Sequence, residues 1–299
     1  MSASGPNFRC GTIAIVGRPN VGKSTLVNHL VGQKLSITSR KPQTTRHRIR
    51  GILTRDDAQY VFVDTPGVQV KHGNALHRAM NRSVLSTLAE TDVVVMVIEA
   101  LKFGPDDRLV LDRLPPNVRP ILAINKVDRV HPRERLLPFL GELGALDRFA
   151  ALVPISAQKE TQLEALLGEI RQRLPEGEPI YAADDVTDAN ERFFAAEFIR
   201  EQLFRLLGDE LPYATTVAIE HFALEGTLRH IQAVILVDQD NQKAIVIGHQ
   251  GSKLKEIGQR ARTDLEKLFD GKVFLELFVK VKGGWADDER TLKSLGHEF

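Results

Sequence analysis

The chain has 299 residues, of which 42% are hydrophobic and 26% charged, and a net charge of +1. This length passes the roughly 250 residues at which single cores stop growing, so two domains are expected, and the composition excludes disordered and fibrous classes. The single cysteine, Cys10, excludes an internal disulfide, and neither MSASGPNFRCGT nor any apolar run has the length of an export signal or a membrane span, which predicts a soluble, cytoplasmic chain.

Six short apolar or β-branched runs, at 12–16, 49–53, 60–63, 93–98, 121–124 and 152–155, alternate with helical stretches. This alternation predicts an α/β domain over 9–175 with a six-stranded, mostly parallel sheet. The runs 93–98 and 121–124 are apolar without interruption, as expected of strands covered by helices on both faces.

After the first run, GRPNVGKS at 17–24 opens a helix that carries Leu26, Val27 and Leu30. Strand before and helix after is the context in which GxxxxGK[ST] cradles phosphate. Glycines let successive N–H groups turn toward an anion, and the helix N-terminus adds a favourable dipole. Gly17, Asn20, Val21, Gly22 and Thr25 belong to this P-loop; Lys23 is placed to reach the β- and γ-phosphates and the Ser24 hydroxyl to ligate Mg2+.

The polar stretch 36–48 has no clear period, and Arg40, Lys41, Arg46, Arg48, Arg50 and Arg55 crowd it and the strand beyond, a cluster that reads by itself as solvated surface. A Thr on such a loop completes a Mg2+ shell only while a γ-phosphate is present, so the loop's order would report nucleotide state. Thr44 and Thr45 are the candidates. Asp64-Thr-Pro-Gly67 follows the third run, which puts the Asp64 carboxylate at a strand's C-terminal end, where it can hold Mg2+ through its water shell. Gly67 offers an unhindered N–H to a γ-phosphate. Ras-like enzymes carry a water-orienting Gln just after this glycine; here the position is Val68, which predicts slow intrinsic hydrolysis.

Asn125-Lys126-Val-Asp128 follows the fifth run. An ionised carboxylate only accepts hydrogen bonds, and guanine presents N1–H and an amino group together where adenine presents an acceptor, so Asp128 selects guanine. Lys126 is expected to lay its stem across the ring, Asn125 to brace the loop, and the backbone at Ser156-Ala157 to approach the base oxygen.

The rhythm changes after Pro175. The acidic, Pro-containing segment 176–190 reads as a linker, and 191–299 as a smaller α+β domain with its core at about 213–283. Helical spacing over 191–207 is followed by strand-like runs at 215–224 and 231–237, a short apolar helical turn at 244–247, Gly248-His-Gln-Gly251, a second helix with Leu254, Ile257, Ala261, Leu265 and Leu268 on one face, and a strand at 273–281. GxxG alone is weak, since Gly141 and Gly144 share the spacing and are expected to be fortuitous. In its setting between a helical turn and a helix, Gly248–Gly251 resembles the loop of a type II KH domain, which brings backbone N–H groups close to sugar-phosphate. His249 and Gln250 lie in that loop, and Lys253 and Lys255 are expected to supply phosphate charge. The nine histidines show no metal-ligand spacing.

These motifs, with PQTTRHRI at 42–49, the domain order and the closing VKGGWADDERTLKSLG, resemble the bacterial Era-type GTPases of the translation-factor-related P-loop class nearly end to end. The resemblance implies GTP and GDP with Mg2+ as ligands and favours Thr45 over Thr44. Asn20, Lys23, Thr45 and Gly67 are then the residues that act at the reacting phosphate, with K+ held in part by Asn20. It further implies single-stranded 16S ribosomal RNA near its 3′ end as partner, a role in assembly and maturation of the 30S subunit, a monomer, and peripheral contact with the inner membrane.

Overall fold

The structure, a computed structural model, describes residues 8–39, 41–42, 44–67, 73–208 and 210–297. They form two compact units, one of 1–36, 45–71 and 80–188, the other of 37–44, 72–79 and 189–299.

In the first unit, β1 (Arg9–Val16), β2 (Ile49–Thr54), β3 (Ala58–Asp64), β4 (Val93–Glu99), β5 (Ile121–Asn125) and β6 (Ala151–Pro154) make one six-stranded sheet in the order β2-β3-β1-β4-β5-β6. Only β2 runs antiparallel to its neighbour. Alternation along the central strands splits their side chains between two cores. Ile13, Ile15, Val95, Val97 and Ala123 pack with α1 (Lys23–Val31) and α5 (Leu163–Arg171). Ala14, Val16, Met96, Ile98 and Ile124 pack on the other face with α3 (Pro105–Asp112), α4 (Leu136–Gly144) and residues 80–89 of α2 (Ala75–Ala89). Two covered faces explain why 93–98 of β4 and 121–124 of β5 are apolar without interruption. Gly141 and Gly144 lie inside α4, so their GxxG spacing makes no loop.

The segment expected to be a linker is tied to this unit as far as Asp188. Gln59, buried on β3, accepts from the Ile180 and Tyr181 amides at 2.7 and 3.0 Å and donates to the Tyr181 carbonyl, while Ile52 on the edge strand β2 donates its N–H to Val186. Arg50 pairs with Asp188 at 2.6 Å, Arg48 with Glu90 at 3.0 Å and Arg55 with Glu164 at 2.6 Å. Much of the basic cluster is therefore neutralised by acids distant in sequence.

The second unit has α6 (Glu191–Leu206), β7 (Thr215–Glu225), β8 (Leu228–Val237), α7 (Asp240–Ile247), α8 (Ser252–Leu268), β9 (Lys272–Val281) and α9 (Glu289–Ser294). The sheet order is β7-β8-β9, with β7 antiparallel and β9 parallel to β8. Ile199 and Leu203 of α6 and Ile257, Ala261 and Leu265 of α8 are fully buried against Ala233, Ile235 and Val237 of β8. That is the α8 face the apolar spacing marked. Residues 37–44 belong here too: the Thr38 amide donates to Glu201 at 2.9 Å, and Lys41 Nζ donates to the Leu207 and Gly208 carbonyls at the end of α6, at 2.6 and 2.8 Å. The polar stretch that looked like one loop thus divides between Thr44 and Thr45.

Candidate nucleotide site and RNA groove

The P-loop leaves β1 at Val16 and turns into α1 at Lys23. Gly17, Asn20 and Gly22 all have positive φ, at 150°, 64° and 105°. A Cβ on Gly17 would stand 2.4 Å from the Val97 carbonyl oxygen, and one on Gly22 would stand 2.3 Å from Asn125 Nδ2, so both positions require glycine on steric grounds as well as by conformation. Val21 is fully buried and Thr25 half-buried in the first turn of α1.

Lys23 is buried, its ammonium donating to the Gly17 and Arg18 carbonyls at 3.0 and 3.1 Å. Burial, only partly offset by the Asp64 charge, lowers its pKa to about 8. A polyphosphate beside it would reverse that penalty, and so this ammonium is primed for an anion. Ser24 Oγ donates to Asp64 Oδ2 at 2.7 Å and lies 2.9 Å from Thr45 Oγ1, which itself reaches Asp64 Oδ2 at 3.4 Å. Thr44 is elsewhere, bonded to Ser39 Oγ and the Lys41 carbonyl. Asp64 is completely buried, which pushes its carboxyl up despite Lys23 and the hydroxyl donors. Its Oδ1 has no hydrogen-bond partner. Two hydroxyls and a buried carboxylate with an unsatisfied oxygen make a hard, oxygen-only donor set that suits Mg2+. Gly67 packs against the P-loop, since a Cβ there would stand 3.1 Å from Pro19. Val68 lies outside the described residues.

Asn125, buried at the end of β5, joins three segments. Its Nδ2 donates to the Val21 carbonyl at 2.8 Å, and its Oδ1 accepts from the Lys126 and Ala157 amides at 2.8 and 2.9 Å. Lys126 has a φ of 67°, and its Nζ donates to the Asn20 carbonyl and to Glu99, both at 2.7 Å. Asp128 accepts from Ser156 Oγ at 2.6 Å. The Ser156 and Ala157 amides, expected near the base oxygen, already bond to the Thr161 carbonyl and to Asn125 within a turn closed by the Ser156–Thr161 bridge. In this conformation the Ser156 side chain, and not the loop's amides, faces the Asp128 carboxylate. Sequence reasoning missed Glu99, for which the available signal was an acid ending an apolar strand three residues before Lys102.

In the second unit, Gly248-His-Gln-Gly251 joins α7 to α8 with positive φ at Gly248, Gln250 and Gly251. A Cβ on Gly248 would meet that of Lys253 at 2.6 Å. His249, Gln250 and Lys255 are exposed. Lys253 instead turns its ammonium toward the Leu206 carbonyl, at 3.5 Å. Beside the loop a groove of about 680 Å³ is lined by Gly251, Leu254, Lys255, Gly258, Gln259, Arg262, Leu275 and Leu277. The spacing rule that found the buried face of α8 could not find Gly258, Gln259 and Arg262, because they lie off that face on a flank of mixed polarity. Among the described residues no three His, Cys, Asp or Glu side chains gather as a metal cluster.

A model of the 50S ribosome-binding GTPase family matches residues 12–126, and a KH domain model matches 210–286. The chain is 55% identical over 298 residues to GTPase Era of Nitrosomonas eutropha, covering 100% of both, and 53% identical over 289 residues to GTPase Era of Chromobacterium violaceum, covering 97% and 98%. Two solved structures superpose with a TM-score of 0.94 at 37% identity, covering 98% of this chain and 100% of theirs. One is a substituted Era of Aquifex aeolicus bound to GDP and AlF4−, the other an Era in complex with MgGDPNP and nucleotides 1506–1542 of 16S ribosomal RNA. Full-length identity at this level, on top of the phosphate, carboxylate and base-reading geometry, places the chain in the Era family of GTPases.

Proposed function

We propose that this chain is a guanine-nucleotide switch that hydrolyses GTP to GDP and phosphate and binds 16S ribosomal RNA near its 3′ end through the KH groove, in the service of 30S subunit assembly and maturation. The observation that carries the reading is the meeting of Ser24, Thr45 and Asp64 beside the P-loop lysine. Ser24, Thr45 and Asp64 would hold Mg2+, which supplies positive charge to the phosphate oxygens when bound. Lys23 moves its ammonium from the Gly17 and Arg18 carbonyls to the phosphates, Gly67 offers its N–H to the γ-phosphate, and Asp128 reads the base with Lys126 beneath it.

The position directly after Gly67 is Val68 and not glutamine, so turnover is slow until another group orients water. K+ held in part by Asn20 is our candidate for the missing charge, and equal hydrolysis rates in K+ and Na+ would remove it. On the RNA side, Gly248, Gly251 and the exposed His249 and Gln250 approach the sugar-phosphate, with Lys253, Lys255 and Arg262 supplying charge. We place the chain at the 30S subunit in the cytoplasm as a monomer, with peripheral contact at the inner membrane; no helix among the described residues is long and apolar enough to cross a membrane.

The test is to measure the affinity of an oligonucleotide from the 3′ end of 16S ribosomal RNA for the full chain with GDPNP, with GDP and without nucleotide. A switch gives different affinities. Equal values would reduce the nucleotide to a structural role, because a ligand that binds both states equally shifts neither.

A further inference from the structure

Glu99, the last residue of β4, lies outside every motif of the chain, yet its carboxylate is the most densely engaged acid at the base-reading end of the site. Its position is fixed twice. The β4–β5 register sets it opposite Asn125, and the Ala100 amide donates to the Asn125 carbonyl at 2.8 Å. The chain then turns through Leu101, at a φ of 62°, so that the Lys102 amide donates back to the Glu99 carbonyl at 3.0 Å. The two carboxylate oxygens thereby receive one ammonium each: Oε1 from Lys102 and Oε2 from Lys126, at 2.6 and 2.7 Å.

The two pairs differ in setting. Lys102 is 64% exposed, where an ion pair contributes little, whereas Lys126 and Glu99 are 20% and 18% exposed. Burial acts to raise the Glu99 pKa, but the hydrogen bonds and charges of Lys102 and Lys126 outweigh it and bring it to about 2, so the acceptor is an ion at any physiological pH. Lys126 uses its other contact on the Asn20 carbonyl of the P-loop. Its flexible four-carbon stem is thus held at the backbone by the left-handed turn and at the ammonium by Asn20 and Glu99 together. A lysine stem free to sample its rotamers would have to be ordered each time a base settled on it.

We propose that Glu99 is a positioning residue for the guanine nucleotide: it holds Lys126 across the base site in advance, so that the ring meets a preformed apolar platform. The inference rests on the assignment of the base site made above. Its consequence is kinetic, because a platform already in place slows departure of the base while the phosphates still govern arrival.

The test follows dissociation and association of mant-GDP from the full chain by stopped flow. E99Q should release mant-GDP roughly three- to tenfold faster with association changed less than twofold, the range expected for ordering one long side chain. Lys126→Met keeps an unbranched stem but loses both the Glu99 and the Asn20 contacts, so it should release mant-GDP at least as fast as E99Q. The double variant should be no faster than Lys126→Met alone, since Glu99 acts through Lys126. E99D, which keeps the charge on a shorter arm, should recover part of the loss and keeps the proposal testable should E99Q fold poorly. An unchanged E99Q dissociation rate, or an E99Q effect that persists undiminished beside Lys126→Met, overturns the proposal. A wild-type chain that holds no mant-GDP would overturn the nucleotide-site assignment itself.

Discussion

Asn125 Nδ2 donates to the Val21 carbonyl at 2.8 Å, and this one bond ties the GRPNVGKS loop to the NKVD loop. The same side chain takes the Lys126 and Ala157 amides on its oxygen, so three loops that leave three different strands are set by one buried amide. Asn125→Ala leaves those groups without a partner at a cost of about 1–3 kcal/mol for each that stays buried. The expected result is a lower urea midpoint for the nucleotide-free chain and loss of the stabilisation that GDP gives the wild type. An unchanged midpoint would mean that water replaces the side chain and the loops stand on their own.

Gly22→Ala attacks the same junction from the other side. At a φ of 105° an alanine is strained by about 1–3 kcal/mol, and its Cβ cannot share space with Asn125 Nδ2 at 2.3 Å. The side chain that must yield is the one that ties the loops, so GDP affinity should fall by at least tenfold even in the fraction that folds. Equilibrium dialysis with labelled GDP on the folded variant measures it.

For base selection, Asp128→Asn gives the site a donor where it had only acceptors, which fits the C2 carbonyl of xanthine and no longer fits guanine's amino group. Competition between GDP and XDP should invert in favour of XDP. Ser156 Oγ, now 2.6 Å from Asp128, can turn to accept from the new amide, which keeps the variant's geometry close to the parent's. A variant that still prefers GDP would move base reading to another residue.

Thr45 and Thr44 are adjacent in sequence and turn to different partners. Thr45 Oγ1 sits with Ser24 and Asp64, while Thr44 Oγ1 is bonded to Ser39 and Lys41. Thr45→Ala should weaken GDPNP binding about tenfold, near 1.4 kcal/mol, with GDP little affected, and addition of EDTA should abolish the difference from wild type. Thr44→Ala should leave both nucleotides within twofold. The opposite pattern would assign the Mg2+-facing hydroxyl to Thr44.

The residues legible in the sequence were those whose motif starts directly at a strand's end or whose helix has a clear apolar period. GRPNVGKS, DTPG and NKVD each follow a strand directly, so reading the strand placed the motif, and the apolar spacing of α8 marked Ile257, Ala261 and Leu265 as core. What stayed hidden depended on register or on distant pairing. Glu99 meets Lys126 only because β4 and β5 align it with Asn125, and Arg50 loses its apparent role in a basic patch only because Asp188 comes back to it across 138 residues. Thr44 and Thr45 could not be separated by period, since the loop has none. Lys253 follows the GxxG loop, as phosphate-binding lysines do, yet the fold offers its ammonium a helix-end carbonyl, a contact no local pattern encodes.

Arg262 makes the strongest case for the groove over the loop. It stands two turns beyond Leu254 on α8 and shares the groove wall with Gly258 and Gln259, whereas the Lys253 ammonium is directed to the Leu206 carbonyl. A guanidinium at the groove wall can pair with a phosphate of single-stranded RNA or stack on a base, and the two roles separate by salt. If it pairs with a phosphate, Arg262→Ala should weaken binding of a 16S 3′-end oligonucleotide about tenfold and lower the slope of log K against log salt by about 0.7. Lys253→Ala, which removes an ammonium turned toward the Leu206 carbonyl and not part of the groove lining, should change the slope less, even though Arg262 lies 4.0 Å from the Glu266 carboxylate. Fluorescence anisotropy across a salt series decides between them. A full slope change for Lys253→Ala with none for Arg262→Ala would return phosphate recognition to the loop lysine.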